Sequence, residues 1–261
     1  MFPELFHLGP VTIRTYGFLI AVGLFLGLQY VLRGAKAKAI PEDRILDAAL
    51  YVIVAGLIGA RLTYVVLNWS FYLQHPFEIV QVWEGGLVFY GGFVASAAAV
   101  IMYTRRHRDT LRLGQLADLM APALCIGHFF GRLGCFCAGC CYGMPSDLPW
   151  AVRFVNPKAL APTGILLHPA QLYEAFANMA LFFVLDRYRV RGGPKDGQVF
   201  ALYLMLYAAL RFVIELFRGD DRGGFLWGLS PSQLVAAVLF ITGIALFRWL
   251  ASSLRQAQQP S

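Results

Sequence analysis

Residues 131–143 read Gly131-Arg132-Leu133-Gly134-Cys135-Phe136-Cys137-Ala138-Gly139-Cys140-Cys141-Tyr142-Gly143, a permanent cation among four glycines and four cysteines. An arginine fork binds a phosphate through two parallel hydrogen bonds. Glycines such as Gly134 and Gly143 let such an anion approach the backbone. His128 lies four residues before Arg132, so on a helix the two share a face. A plainer reading has Arg132 snorkelling outward to water. Packing alone does not require so many glycines, and this favours the phosphate reading.

Three further groups could do chemistry beside it. Tyr207, Arg211, Glu215 and Arg218 recur at intervals of four, four and three, which places them on one helical stripe. An internal Arg211–Glu215 pair would hold that stripe in a bundle and still leave Arg218 for a lipid phosphate. His168-Pro169-Ala170-Gln171-Leu172-Tyr173-Glu174 opens another apolar stretch, with Pro169 suited to a first helical turn. Gln171 and Glu174 are expected to face the interior as structural hydrogen-bonding groups. Trp83-Glu84-Gly85-Gly86-Leu87-Val88-Phe89-Tyr90-Gly91-Gly92 brackets Tyr90 with glycine pairs. Paired glycines permit unwound backbone where it lines a polar cavity, and Tyr90 is expected to project into one.

The elements that must carry these groups follow from composition. Of 261 residues, 58% are hydrophobic and 14% charged, with a mean hydropathy of +0.60; soluble domains carry about 25% charged residues. Spanning helices need about 20 apolar residues. Such windows occur at 16–32, 46–67, 85–103, 113–136, 169–185, 199–217 and 231–250. This predicts an all-α, polytopic membrane protein of about seven transmembrane helices in a single integral-membrane domain, 1–261. Gly23 with Gly27, and Gly56 with Ala60, are small pairs that let helices approach closely. The first ten residues lack a basic leader region and a cleavage site, so no removable signal is expected.

The net charge of +7 points to topology rather than nucleic acid, because the basic residues sit in short loops. Fourteen of the 22 Lys and Arg flank one side, including Arg33, Arg105, Arg187, Arg248 and Arg255. Five flank the other: Arg14, Arg153, Lys158, Arg218 and Arg222. The positive side is cytoplasmic, so the N-terminus is expected outside and the C-terminus inside. Trp69, Trp83, Trp150 and Trp227 then fall near outer span ends, as an aromatic belt requires. Arg61, Arg132 and Arg211 remain within spans. Each costs about 2.5–3.5 kcal/mol to insert, which marks it as a functional candidate.

The cysteine spacing C-x-C-x-x-C-C has no companion pair elsewhere in the chain. A four-ligand metal site would need one tight segment to supply every ligand. Small-residue packing is therefore favoured over a disulfide, and a disulfide over a metal. No cofactor is expected.

Six motifs in one order resemble the prolipoprotein diacylglyceryl transferase family over about Gly9 to Leu250. They are Tyr16-Gly17, Gly59-Ala60-Arg61, the bracketed Gly pairs, Gly131-Arg132-x-Gly134, His168-Pro169-x-Gln171-Leu172-Tyr173-Glu174 and Arg211-Phe212-x-x-Glu215. The resemblance implies transfer of diacylglycerol from phosphatidylglycerol to the lipobox cysteine of a prolipoprotein in the bacterial inner membrane, with glycerol phosphate leaving. It implies that Arg132 binds phosphatidylglycerol, that Arg211 and Tyr207 are a second essential arginine and its nearby tyrosine, and that Tyr16 is the first-helix tyrosine. Arg61, Arg218, Gly134, Gly143, Gln171 and Glu215 join the expected lipid site. The chain departs from the family pattern at Tyr90, where a histidine is typical, at Cys135, where Asn is, and at Cys140-Cys141, where Gly-Glu is. Thiol activation is thereby open between Tyr90, His128 and the field of the arginines. Two other functions compete: a membrane thiol–disulfide oxidoreductase using residues 135–141, and a non-catalytic lipid-binding or transport relative that kept the phosphate site.

Overall fold

The computed structural model describes residues 2–8, 11–82, 85–192, 194–220 and 228–257. Trp83, Glu84, Arg222, Trp227 and the side chain of Arg255 lie outside the described residues. The chain is an all-α, multi-pass membrane protein. Its long helices are α1 (Thr15–Ala37), α2 (Glu42–Leu67), α4 (Phe89–Arg106), α5 (Leu113–Ala138), α6 (Ala170–Arg191), α7 (Gln198–Glu215) and α8 (Pro231–Ala257), with a short α3 (Trp69–Gln74) after α2. Among the described residues, five helices are long and apolar enough to cross a membrane: α1, α2, α5, α7 and Pro231–Ser252 of α8. The other two long helices occupy the remaining expected windows. They fall short on apolarity because α4 carries glycines and an Arg105-Arg106 end, while α6 carries Glu174, Asn178, Asp186 and three arginines.

Contacts divide the chain into a larger unit, residues 1–31 and 117–261, and a smaller one, residues 32–116. In the smaller unit, α2 packs on α4 through glycine. A Cβ built on Gly92 would stand 2.8 Å from the Gly56 carbonyl, and one on Gly59 would stand 2.6 Å from the Gly91 carbonyl. The first glycine pair is unwound as expected, with Gly85 and Gly86 at φ +94° and +68°. The second pair is helical and serves close approach of α2.

In the larger unit, α1 packs on α5 at Gly23, where a Cβ would meet Phe130 at 3.0 Å, and at Gly27, 3.3 Å from the Ala123 carbonyl. The core of α5, α6 and α7 contains Ala121, Cys125, Leu181, Leu185, Val199 and Tyr203. The buried carboxylate of Asp118 accepts from the backbone N–H of Gly197 at 2.8 Å and of Phe200 at 2.9 Å. An acceptor at a helix N-terminus satisfies donors that would otherwise be orphaned in lipid. Tyr30 donates to Asp186 at 2.6 Å, and Arg189 binds both Asp186 and the Tyr30 hydroxyl at 2.9 Å.

Two small antiparallel pairs were not foreseen. Strands β1 (Glu4–Leu8) and β2 (Val11–Arg14) precede α1, and β3 (Val152–Arg153) pairs with β4 (Leu166–Leu167). Residues 139–168 enclose a small core of Phe154, Ala161 and Leu167. Trp150 donates to the Tyr173 hydroxyl at 2.8 Å, which ties this segment to α6.

Candidate functional site

Within the larger unit, α5, α6 and α7 each bring polar groups to one buried cluster. Glu174, fully buried on α6, is its hub: Oε1 lies 2.9 Å from Arg132 Nη2 and Oε2 lies 3.9 Å from Arg218 Nη1. On α7, Arg211 Nη2 meets Glu215 Oε2 at 2.7 Å, the internal pair that the four-residue spacing anticipates. Ser230 and Ser232 then donate to the other oxygen of Glu215. A carboxylate in a low-dielectric interior must be paired and hydrogen-bonded or it is strongly destabilising, and here each has an arginine.

In this cluster Nη1 of both Arg211 and Arg218 lacks an aligned hydrogen-bond partner, as do Nδ1 of His128, both oxygens of Glu174 and Oε2 of Glu215, which meet the arginines only as ion pairs. The Arg132 side chain keeps 21% of its surface open. The cluster thus holds guanidinium groups in place by carboxylates while leaving capacity for an incoming anion. His128 lies within electrostatic reach of Arg132, Glu174 and Arg211, and its ring centroid is 5.1 Å from that of Tyr207. Tyr207 in turn stacks on Tyr203 at 5.4 Å.

The flanking glycines are required by backbone contact. A Cβ on Gly134 would meet Tyr16 of α1 at 3.0 Å, and one on Gly143 would meet His168 at 2.5 Å and the Phe217 carbonyl at 2.8 Å. Gly143 also forms a β-bridge with Arg218. Arg218 therefore lies past the end of α7, not on its helical stripe, and forks onto Asp220 at 2.8 and 2.9 Å. Gln171, also fully buried, donates to the Cys140 carbonyl at 2.8 Å. That bond fits its expected structural role and fixes the turn that follows α5.

Cys135, Cys140 and Cys141 converge, with sulfur atoms all within 4.8 Å of one another, and Cys137 is not part of this group. All five cysteines are free. Hydrogen bonds from Cys135 and Cys140, with the charges of Arg218 and Arg132, hold the Cys141 thiol below its ordinary range.

Of the expected site residues, Tyr16, His128, Arg132, Gly134, Gly143, Gln171, Tyr207, Arg211, Glu215 and Arg218 all belong to the larger unit. Arg61 and Tyr90 belong to the smaller one. Arg61 is committed to backbone: it donates to the carbonyls of Ile79 at 2.8 Å, Gly85 at 2.9 Å and Gly86 at 3.2 Å, and to that of Glu78. It also sits over the rings of Tyr64 and Tyr72. These partners make it a clamp on the chain between α3 and α4. Tyr90, in the first turn of α4, is 64% exposed and packs edge-on against Phe89. Sequence reasoning undervalued Glu174. The signal was the spacing of Gln171, Glu174 and Asn178, a polar stripe on the otherwise largely apolar N-terminal part of α6, and Asn178 is likewise fully buried.

A family model described as prolipoprotein diacylglyceryl transferase matches residues 3–249. The phosphatidylglycerol–prolipoprotein diacylglyceryl transferase of Clostridium tetani is 36% identical over 248 residues, covering 95% of this chain and 97% of its own. Proteins of the same name from Thermosynechococcus vestitus and Nitrobacter winogradskyi are 35% and 36% identical. They cover 93% and 94% of this chain, and 89% and 86% of their own.

Proposed function

The chain belongs to the prolipoprotein diacylglyceryl transferase family, and we infer from that membership that it is an enzyme of lipoprotein biosynthesis. It transfers the diacylglyceryl group of phosphatidylglycerol to the lipobox cysteine of prolipoproteins, as a multi-pass protein of the bacterial inner membrane. The family match runs through both compact units, which supports reading 1–261 as one transferase domain. Seven spans, with the N-terminus outside and the C-terminus inside, accord with the seven long helices and with the loop charges.

The observation that carries the site assignment is the cluster of Arg132, Arg211 and Arg218 around Glu174 and Glu215, buried yet with guanidinium donors unfilled. Arg132, the most open of the three, takes the lipid phosphate as a bidentate fork. Arg211 and Arg218 add positive field where charge develops on the leaving glycerol phosphate, and preorganised charge of this kind usually lowers a reaction barrier more than any other single effect. The acceptor thiol gives up its proton to solvent, its sulfur bonds to the terminal glyceryl carbon, and the bond from that carbon to the phosphate oxygen breaks, its electron pair leaving on the phosphate of glycerol phosphate. Tyr207 and His128 sit beside the arginines and steer the lipid. Tyr16, through its contact with Gly134, and Gly143, Gln171 and Glu215 keep the backbone and charges in register. In the smaller unit, Arg61 secures the segment that precedes Tyr90, whose exposed side chain is a hydrogen-bond donor on that unit's surface.

The oxidoreductase reading accounts for the thiols but gives the arginine cluster no task. Mass spectrometry of a lipobox peptide incubated with the purified protein and phosphatidylglycerol tests the assignment. A diacylglyceryl adduct on the cysteine is expected; lipid binding with no adduct would leave the binding-protein reading standing.

A further inference from the structure

We propose that Cys135, Cys140 and Cys141 form a three-thiolate site for one soft divalent cation of the zinc class, at the junction between α5 and the segment that follows it. Three sulfur atoms within 4.8 Å of one another need only a small contraction to ligate a shared ion. Zinc–sulfur bonds of ~2.3 Å in tetrahedral geometry place sulfurs ~3.8 Å apart, so each sulfur moves by less than its own radius. Among the described residues no histidine or carboxylate joins this group. An all-sulfur donor set selects thiophilic ions over magnesium or calcium.

The backbone holds the three thiols together before any ion arrives. The Cys140 N–H donates to the Cys135 carbonyl at 3.1 Å, closing the turn after α5. Gly139 at φ +72° and Cys141 at φ +62° are both left-handed, a conformation that costs a non-glycine residue free energy and persists only where its surroundings impose it. Those surroundings are the Gln171 bond to the Cys140 carbonyl and the close contact of Gly139 with Ala159. The vicinal cysteines are thereby turned so that both sulfurs face Cys135. Cys135 is buried while Cys140 and Cys141 are half-buried, which leaves a path for an ion.

The charge balance is also favourable. Any protons still on the three thiols pass to solvent on binding, and three thiolates around a divalent ion carry one net negative charge. Arg132 and Arg218 act electrostatically on this group and offset that charge. Three protein ligands leave a fourth position, which water fills. Cys137, outside the group, serves as an internal control.

The test uses the full-length protein, reduced and purified in detergent, titrated anaerobically with Co2+ as an optical probe. One Co2+ per chain is expected, with a thiolate-to-cobalt charge-transfer band that Zn2+ bleaches and a rise in thermal midpoint on adding Zn2+. Cys140→Ser and Cys141→Ser, each confirmed as folded by gel filtration, should lose the band, and Cys137→Ser should retain it. No band in the wild type, a band that survives both serine variants, or binding of Cu+ alone would overturn the proposal. Diacylglyceryl transfer is assayed separately on metal-free protein, so loss of the ion site and loss of the transferase reading give different results.

Discussion

Glu174→Gln keeps the shape of the hub and removes its charge, leaving Arg132 and Arg218 without the carboxylate 2.9 and 3.9 Å away. At an effective dielectric of ~20, unit charges at the shorter distance attract by roughly 6 kcal/mol before desolvation is counted. Removing one partner of a buried ion pair costs about 3–5 kcal/mol. The neutral amide keeps the carboxylate's volume and its dipole beside Arg132, so a loss of about 3 kcal/mol in stability is expected, near the lower end of that range. Transfer falls as well, because Arg132 is no longer held at the lipid phosphate. A hundredfold drop in kcat/KM, about 2.7 kcal/mol, is expected. The assay is a double-mutant cycle with Arg132→Gln, reading thermal midpoint and single-turnover transfer from labelled phosphatidylglycerol to a lipobox peptide. If Glu174 acts through Arg132, the double variant is little worse than either single one. Effects that add to within ~0.5 kcal/mol would show the two residues to be independent and refute the positioning role.

Gly134→Val should abolish transfer, since its Cβ would stand 3.0 Å from the Tyr16 ring and 3.2 Å from its Cα, whereas Cys135→Asn should keep transfer; activity ratios in membranes decide between them. Tyr90→Phe should lower turnover only modestly and Tyr90→His should preserve or raise it. If the arginine field activates the thiol, the rate of the wild type and of His128→Ala should follow an ordinary thiol titration near pH ~8.5, or below it if the arginines depress the thiol, whereas His128 acting as base would add a rise at lower pH than the thiol's that vanishes in His128→Ala. Reporter fusions after Arg108 and at Ser261 should both read cytoplasmic, and a periplasmic reading at either would break the seven-span topology.

The long helices were legible because apolar windows of spanning length are a one-dimensional signal. Glycine contacts were legible too: Gly23, Gly27 and Gly56 each sit where backbones meet. The pairing of Arg211 with Glu215 followed from i,i+4 spacing alone. What the chain hid were relations between distant segments. Nothing local says that Glu174 meets both Arg132 and Arg218, or that Arg61 turns to four carbonyls rather than to a phosphate. Arg218 looked helical by spacing, yet α7 stops at Glu215, where the chain turns to bridge with Gly143. The strand pairs were hidden because two-residue strands such as β3 and β4 carry no period to read.

If Arg132 and Arg211 hold the lipid phosphate during transfer to a thiol, neither can be lost without losing the leaving group's release. The most direct test is single-turnover release of labelled glycerol phosphate from phosphatidylglycerol, with a lipobox peptide as acceptor, for wild type, Arg132→Ala, Arg132→Lys and Arg211→Ala. Wild type should release label in step with peptide modification. Both alanine variants should stay folded in the membrane and release none, and Arg132→Lys should recover little, because a point charge does not reproduce the guanidinium fork. Near-normal release by either alanine variant would contradict the phosphate-holding role of that arginine.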